Sequence, residues 1–212
     1  MHPLSNAILL FVILLNFSLL GSSRLAACIK LVAIQGAGLA LLPVLMHGWT
    51  FHGVILLAGA FLLKGLFIPW LLFRALRQVQ IRREIEPRIG YITTLMLGAL
   101  TTAGAFLFAD SLPLLAEHQR SLIIPVSLST LASGFLMLIT RRKAITQVLG
   151  YLMFENGIFI FGILLAEAMP LMIEAGVLLD MLVATFVMGI VVNHINNEFS
   201  TINTEQLSLL RE

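Results

Sequence analysis

Residues 145–166 read ITQVLGYLMFENGIFIFGILLA, and Glu155 is the only charged residue in the stretch. About 20 apolar residues in helical conformation cross the hydrocarbon core of a bilayer, so this stretch reads as a transmembrane helix. A carboxylate at its centre is costly unless it is paired, protonated or hydrated from inside a bundle. The same pattern recurs on either side. Downstream, residues 171–192 (LMIEAGVLLDMLVATFVMGIVV) hold Asp180 about as deep, and upstream, residues 54–72 (VILLAGAFLLKGLFIPWLL) hold Lys64. These three intramembrane charges carry most of the functional information in the chain.

The whole composition agrees with that reading. Of 212 residues, 59% are hydrophobic and 11% charged, with a mean hydropathy of +1.00. A soluble domain carries about 25% charged residues, so the chain is expected to be a polytopic membrane protein. No soluble-sized block or Pro/Ser-rich linker divides it, and residues 1–212 read as one integral membrane domain. The net charge of +2 does not point to nucleic acid, because the basic residues cluster in short loops, where membrane topology accounts for them. Cys28 is the single cysteine, which excludes an intrachain disulfide. No CxxC or His/Cys cluster offers metal ligands, and His2, His47, His52, His118 and His194 fall near helix ends without a ligand spacing. No cofactor is expected. The first segment lacks a basic leader and reads as a retained helix.

Seven segments meet the length requirement, at about 4–20, 25–46, 51–73, 90–109, 121–140, 145–166 and 171–193. Backbone groups in lipid must be satisfied within the segment, so the fold class is all-α. The loops alternate in charge. Arg24 occupies the first, the third (residues 74–88) has a net charge of +3, and the fifth is Arg141, Arg142, Lys143; the even loops are neutral or acidic. Basic loops stay on the cytoplasmic side, which puts the N-terminus outside and the C-terminus inside. The loops of Arg24 and Arg142, the residues Gln35 and Glu155, and Lys64 and Asp180 are separated by 116 to 120 positions. That spacing fits a 3+1+3 parallel repeat, with units at 1–80 and 121–198 joined by a helix at 90–109; regular helix spacing alone also produces it.

Each candidate residue has two readings. Glu155 either holds or passes a proton, or fixes helix packing with Asn156 as a local partner; Gly150 and Gly157 lie on one face of the same helix and would let a neighbour approach. Asp180 is either a proton carrier or a static anchor for Lys64 or Lys30. Lys64 precedes Pro69, whose missing N–H leaves the Gly65 carbonyl without its helical donor. A free carbonyl beside an ammonium suits a hydrated path or a charge-pairing point. Lys30 and Gln35 are secondary candidates: Lys30, nearer the inner end of its helix, can instead snorkel to the surface, and Gln35 can bridge a polar track.

On these residues the chain resembles hydrogenase-4 component E, a small membrane subunit of formate hydrogenlyase-type and related group 4 hydrogenase complexes. It is similar in turn to the K subunit of respiratory complex I and the C subunit of Mrp-type antiporters. The basis is RRKAITQVLGYLMFENGIFIFGILL at 141–165, followed by a last helix with a central acid. The subunit-K pattern has a glutamate in each of two successive helices; here the second is Asp180, one methylene shorter, and the likeness to subunit K covers about the last 90 residues. The resemblance implies a multi-pass subunit of the bacterial inner membrane with no redox centre of its own. It would pack against antiporter-like subunits and, through them, a nickel–iron hydrogenase arm. Glu155, Asp180 and Lys64 would then lie on a proton path coupled to redox chemistry elsewhere. A purely structural assembly subunit and a stand-alone secondary carrier remain as other readings of the same residues.

Overall fold

The computed structural model describes residues 3–48, 51–79, 88–112, 121–165 and 189. Its elements are α1 (Pro3–Gly21), α2 (Leu25–Ala40), α3 (Leu42–His47), α4 (Phe51–Ala60), a π-helix (Phe61–Phe67), α5 (Ile68–Val79), α6 (Tyr91–Ser111), α7 (Ile123–Thr140) and α8 (Ala144–Leu165). Six stretches are long and apolar enough to cross a membrane: Pro3–Gly21, Leu25–Met46, Leu57–Arg77, Tyr91–Ser111, Ile123–Thr140 and Ala144–Ile163. They coincide with the first six expected spans and make the chain an all-helical integral membrane protein. The seventh expected span, with Asp180, lies outside the described residues.

Two of the spans are interrupted, each by a proline. Pro43 has no N–H to donate and sits in the first turn of α3, where none is needed, just after α2 ends. The short helix then closes on Gly48, whose φ of +80° is a conformation that side chains rarely adopt; its N–H bonds the Val44 carbonyl at 3.0 Å. Pro69 acts differently. The backbone ahead of it widens into seven residues of π-helix, in which the Ile68 N–H reaches back five residues to Leu63. In that register the carbonyl facing the missing donor is that of Lys64; in the α register it is that of Gly65. Local π-turns inside α-helices are concentrated at functional sites.

In lipid, helices associate by close packing, and small residues set how close. A methyl at Gly150 would lie 2.9 Å from the Leu138 nitrogen and one at Gly157 2.7 Å from the Leu131 nitrogen, while one at Gly134 would collide with the Phe154 backbone. The glycine face expected on α8 therefore seats α7, and α7 returns a glycine of its own. Replacing Gly134 by Ala is expected to cost about 1–3 kcal/mol through overpacking. Thermal unfolding in detergent tests this, with Gly104→Ala, which meets nothing within 4 Å, as the control that should stay near wild type.

Around the α7–α8 pair, α8 packs on α2, and α1 packs on α2, α6 and α7; the π-helix and α5 lie against α2. The buried apolar side chains form two separate cores. One contains Leu19, Ile29, Leu72, Met137, Leu149 and Leu152. The other contains Leu9, Val12, Leu39, Ile123, Val126 and Ile160. On α1, α2, α7 and α8 the first core lies toward the end that carries Arg24 and Arg141, the second toward the opposite end.

The basic end is itself tied together. Arg88 donates its backbone N–H to Thr140 at 2.8 Å and its side chain to the Ile139 carbonyl at 3.1 Å. The Arg141 guanidinium donates to the Leu20 carbonyl and lies 4.3 Å from the centre of the Tyr91 ring. Arg88 of the third loop and the described residues of the first and fifth loops thus share one end. Arg141, read from sequence as part of a basic loop, is 1% exposed; its Nη2 bonds the Leu20 carbonyl, while Nε and Nη1 are buried without a hydrogen-bond partner among the described residues.

Candidate functional site

Between the two apolar cores lies a polar layer. On α1 the buried stripe runs Leu9, Val12, Asn16, Leu19, and on α7 Ile123, Val126, Thr130, Met137. Gln35 occupies the same level on α2, and Glu155 and Asn156 on α8. Gln35, Thr130 and Glu155 each stand about ten residues from the basic end of their helix, roughly 15 Å, the half-thickness of a bilayer core.

Lys64 enters this layer from the π-helix. Its passage depends on Gly36, where a methyl would lie 2.7 Å from Lys64 Cβ. The Lys64 Nζ sits 2.7 Å from Glu155 Oε1, with the two side chains 7% and 3% exposed. The same ammonium is 3.4 Å from Asn156 Oδ1 and 5.0 Å from the centre of the Phe159 ring. Phe159 follows Glu155 by one helical turn, so a single face of α8 supplies carboxylate, amide and ring. A buried ion pair needs such supplementary contacts, because mutual attraction alone barely offsets the desolvation of two charges.

From Asn156 the layer continues as a chain of hydrogen bonds. Asn156 Nδ2 donates to Gln35 Oε1 at 3.3 Å, Gln35 Nε2 to Asn16 Oδ1 at 2.8 Å, and Asn16 Nδ2 to Thr130 Oγ1 at 2.9 Å. Thr130 Oγ1 donates in turn to the Val126 carbonyl at 2.7 Å. The sense of this chain has a cause. An ammonium only donates, so Asn156 must turn its oxygen to Lys64 and its nitrogen to Gln35, and each following amide is oriented by the one before. Three amide oxygens therefore point back along the chain toward the positive charge. Amides neither gain nor lose protons at ordinary pH, so the part of the layer able to exchange a proton is the Lys64–Glu155 pair. A cavity of about 10 Å³, room for one water molecule, borders Lys64, Pro69 and Asn156.

Of the residues singled out from sequence, Lys64, Glu155, Asn156 and Gln35 converge here. Lys30 does not; it lies on the exposed face of α2. Asp180 is outside the described residues. Asn16 and Thr130 complete the layer and were not singled out, although each interrupts an apolar stripe at helical spacing, a signal that sequence periodicity contains. Among the described residues there is no group of three His, Cys, Asp or Glu side chains able to hold a metal ion.

Gln35→Leu tests the chain. It leaves Asn16 Oδ1 and Asn156 Nδ2 buried without their partner, at an expected cost of about 1–3 kcal/mol. Thermal unfolding in detergent should show the loss, and Lys30→Gln, on the exposed face, should not.

No family model matches the chain, and no solved structure matches it significantly. Among curated proteins it is similar to Hydrogenase-4 component E of Escherichia coli K12, at 25% identity over 154 residues that cover 73% of this chain and 71% of that protein. The protein of the same name from Shigella flexneri matches to the same extent. The expected likeness is thus met in part, by a distant match over 154 residues. Similarity to Uncharacterized protein Rv0085 of Mycobacterium tuberculosis is higher, 30% over 192 residues, covering 89% of this chain and 87% of that protein. At that identity and coverage, the chain belongs to the family of Rv0085.

Proposed function

We propose that the chain is a non-catalytic membrane subunit of a hydrogenase-4-type complex and that the Lys64–Glu155 pair carries protons in it, with Asp180 as a further carrier. The observation that carries this reading is the pair itself: an ammonium and a carboxylate 2.7 Å apart, almost fully buried at mid-bundle. Ionisable groups at that depth are expensive and tend to mark ion or proton pathways. The distant similarity to Hydrogenase-4 component E supplies the kind of complex. In this proposal the partners are antiporter-like membrane subunits and, through them, a nickel–iron hydrogenase arm. The chain lies in the bacterial inner membrane with its basic loops in the cytoplasm, organised as units 1–80 and 121–198 about the helix at 90–109.

A second reading rests on a specific observation. Every amide from Asn156 to Asn16 is bonded at both ends, as a static scaffold requires, and a satisfied polar layer fixes which helices meet. In this reading the pair serves assembly alone.

Purification of the tagged chain from its native membrane in a mild detergent, with mass spectrometry of the co-purifying proteins, tests the membership. Recovery with antiporter-like and nickel–iron hydrogenase subunits is expected. A chain that purifies alone, stable and monodisperse, would overturn it in favour of a stand-alone carrier.

A further inference from the structure

The cavity beside Lys64 has a direction. On α5 its walls are Ile68, Pro69 and Leu72, which follow Lys64 toward the end that bears Arg74 and Arg77. On α8 the wall is Leu152, one turn before Asn156 on the side of Arg141. On α2 the walls are Ile29 and Val32, which precede Gln35 on the side of Arg24. Every apolar lining residue therefore lies between the polar layer and the basic end, and Leu72 is eight positions past Lys64, about 12 Å along the helix axis. In the other direction the layer leads sideways into Gln35, Asn16 and Thr130, whose amides and hydroxyl are already committed to one another.

A site holds water when two or more polar groups border it and one probe sphere fits. Here Lys64 and Asn156 border it. Pro69, also on the wall, leaves a carbonyl of the preceding turn without its helical donor. The lining helix is the one that departs from α geometry, directly at Lys64.

We propose that this cavity holds the innermost water of an access through which protons pass between Lys64 and the basic end of the bundle, with Ile29, Leu72 and Leu152 as its apolar constriction. A water in the cavity takes a proton from the Lys64 ammonium and leaves the amine. The reverse transfer, from a hydronium in the cavity to the amine, restores the ammonium beside the Glu155 carboxylate. The proposal rests on the reading of Lys64–Glu155 as a proton-carrying pair and adds the side from which the pair is reached.

Cysteine accessibility tests it. In the full chain with Cys28→Ala, Val32→Cys changes little volume and places a thiol on the cavity wall; Leu72→Cys places a second one nearer the basic end. Val12→Cys, buried in the opposite core, is the control. Sealed native vesicles of either orientation are treated with a membrane-impermeant methanethiosulfonate. Thiol reactivity follows access to water and the thiolate, so Val32→Cys and Leu72→Cys should react from the basic-loop face at least about tenfold faster than Val12→Cys. Reaction no faster than the control, or reaction only from the opposite face, overturns the proposed access. Failure of the underlying pair is read separately, as normal coupled proton movement in Glu155→Gln vesicles.

Discussion

Glu155→Gln, introduced into the assembled complex in its native membrane, is expected to leave the yield of complex near wild type and to lower coupled proton movement by about 100-fold. The size follows from what a positioned acid–base group contributes to proton transfer. The specificity follows from geometry. A glutamine fills the same volume on α8 and still turns an oxygen toward the Lys64 ammonium, which also retains Asn156 Oδ1 and the Phe159 ring. What is lost is the capacity to take up and release a proton at that place. Vesicle acidification measured beside the amount of assembled complex separates the two effects. Normal acidification in a fully assembled Glu155→Gln complex would leave the static scaffold as the better account.

Lys64→Met is expected to be the most damaging single change to stability, at about 3–5 kcal/mol, because it leaves the Glu155 carboxylate buried without its cation. A methionine follows the same path past Gly36, so the loss is one of charge rather than of shape. Combining it with Glu155→Met should recover most of the stability, since a well-packed apolar pair often matches a buried ion pair. The double-mutant cycle, read from thermal unfolding of the purified variants, then gives a large favourable coupling between residues 64 and 155. Additive losses would mean that the contact between Lys64 and Glu155 contributes little to the fold.

Much of this arrangement is written locally in the chain. A helix that must satisfy its own backbone in lipid announces itself by length and composition, and Glu155 and Lys64 are conspicuous because a charge in such a segment is rare. Gly150 and Gly157 likewise foretell close approach. The pairing of Lys64 with Glu155 is not local. It needs α2 to let the π-helix close in at Gly36, 64 − 36 = 28 positions away, and α8 to face both, with Asn156 92 positions from Lys64. Asn16 and Thr130 carry no charge and acquire a role only once Gln35 is seen to need an acceptor and Asn16 another. Arg141 reads as a loop charge because a basic residue after a helix is ordinarily solvated; its burial under Tyr91 depends on how α6 begins. Pro69 tells that a hydrogen bond is missing, while the π-helix that absorbs the gap is a property of the packed helix.

The most direct test of a proton-carrying Glu155 is difference infrared spectroscopy of the complex in native membranes, between resting and turning-over states, with Glu155→Gln beside it. The account predicts a carboxylic acid carbonyl band that changes with turnover and is missing in Glu155→Gln. A difference spectrum without a carboxyl change, or one identical in the two proteins, would contradict it.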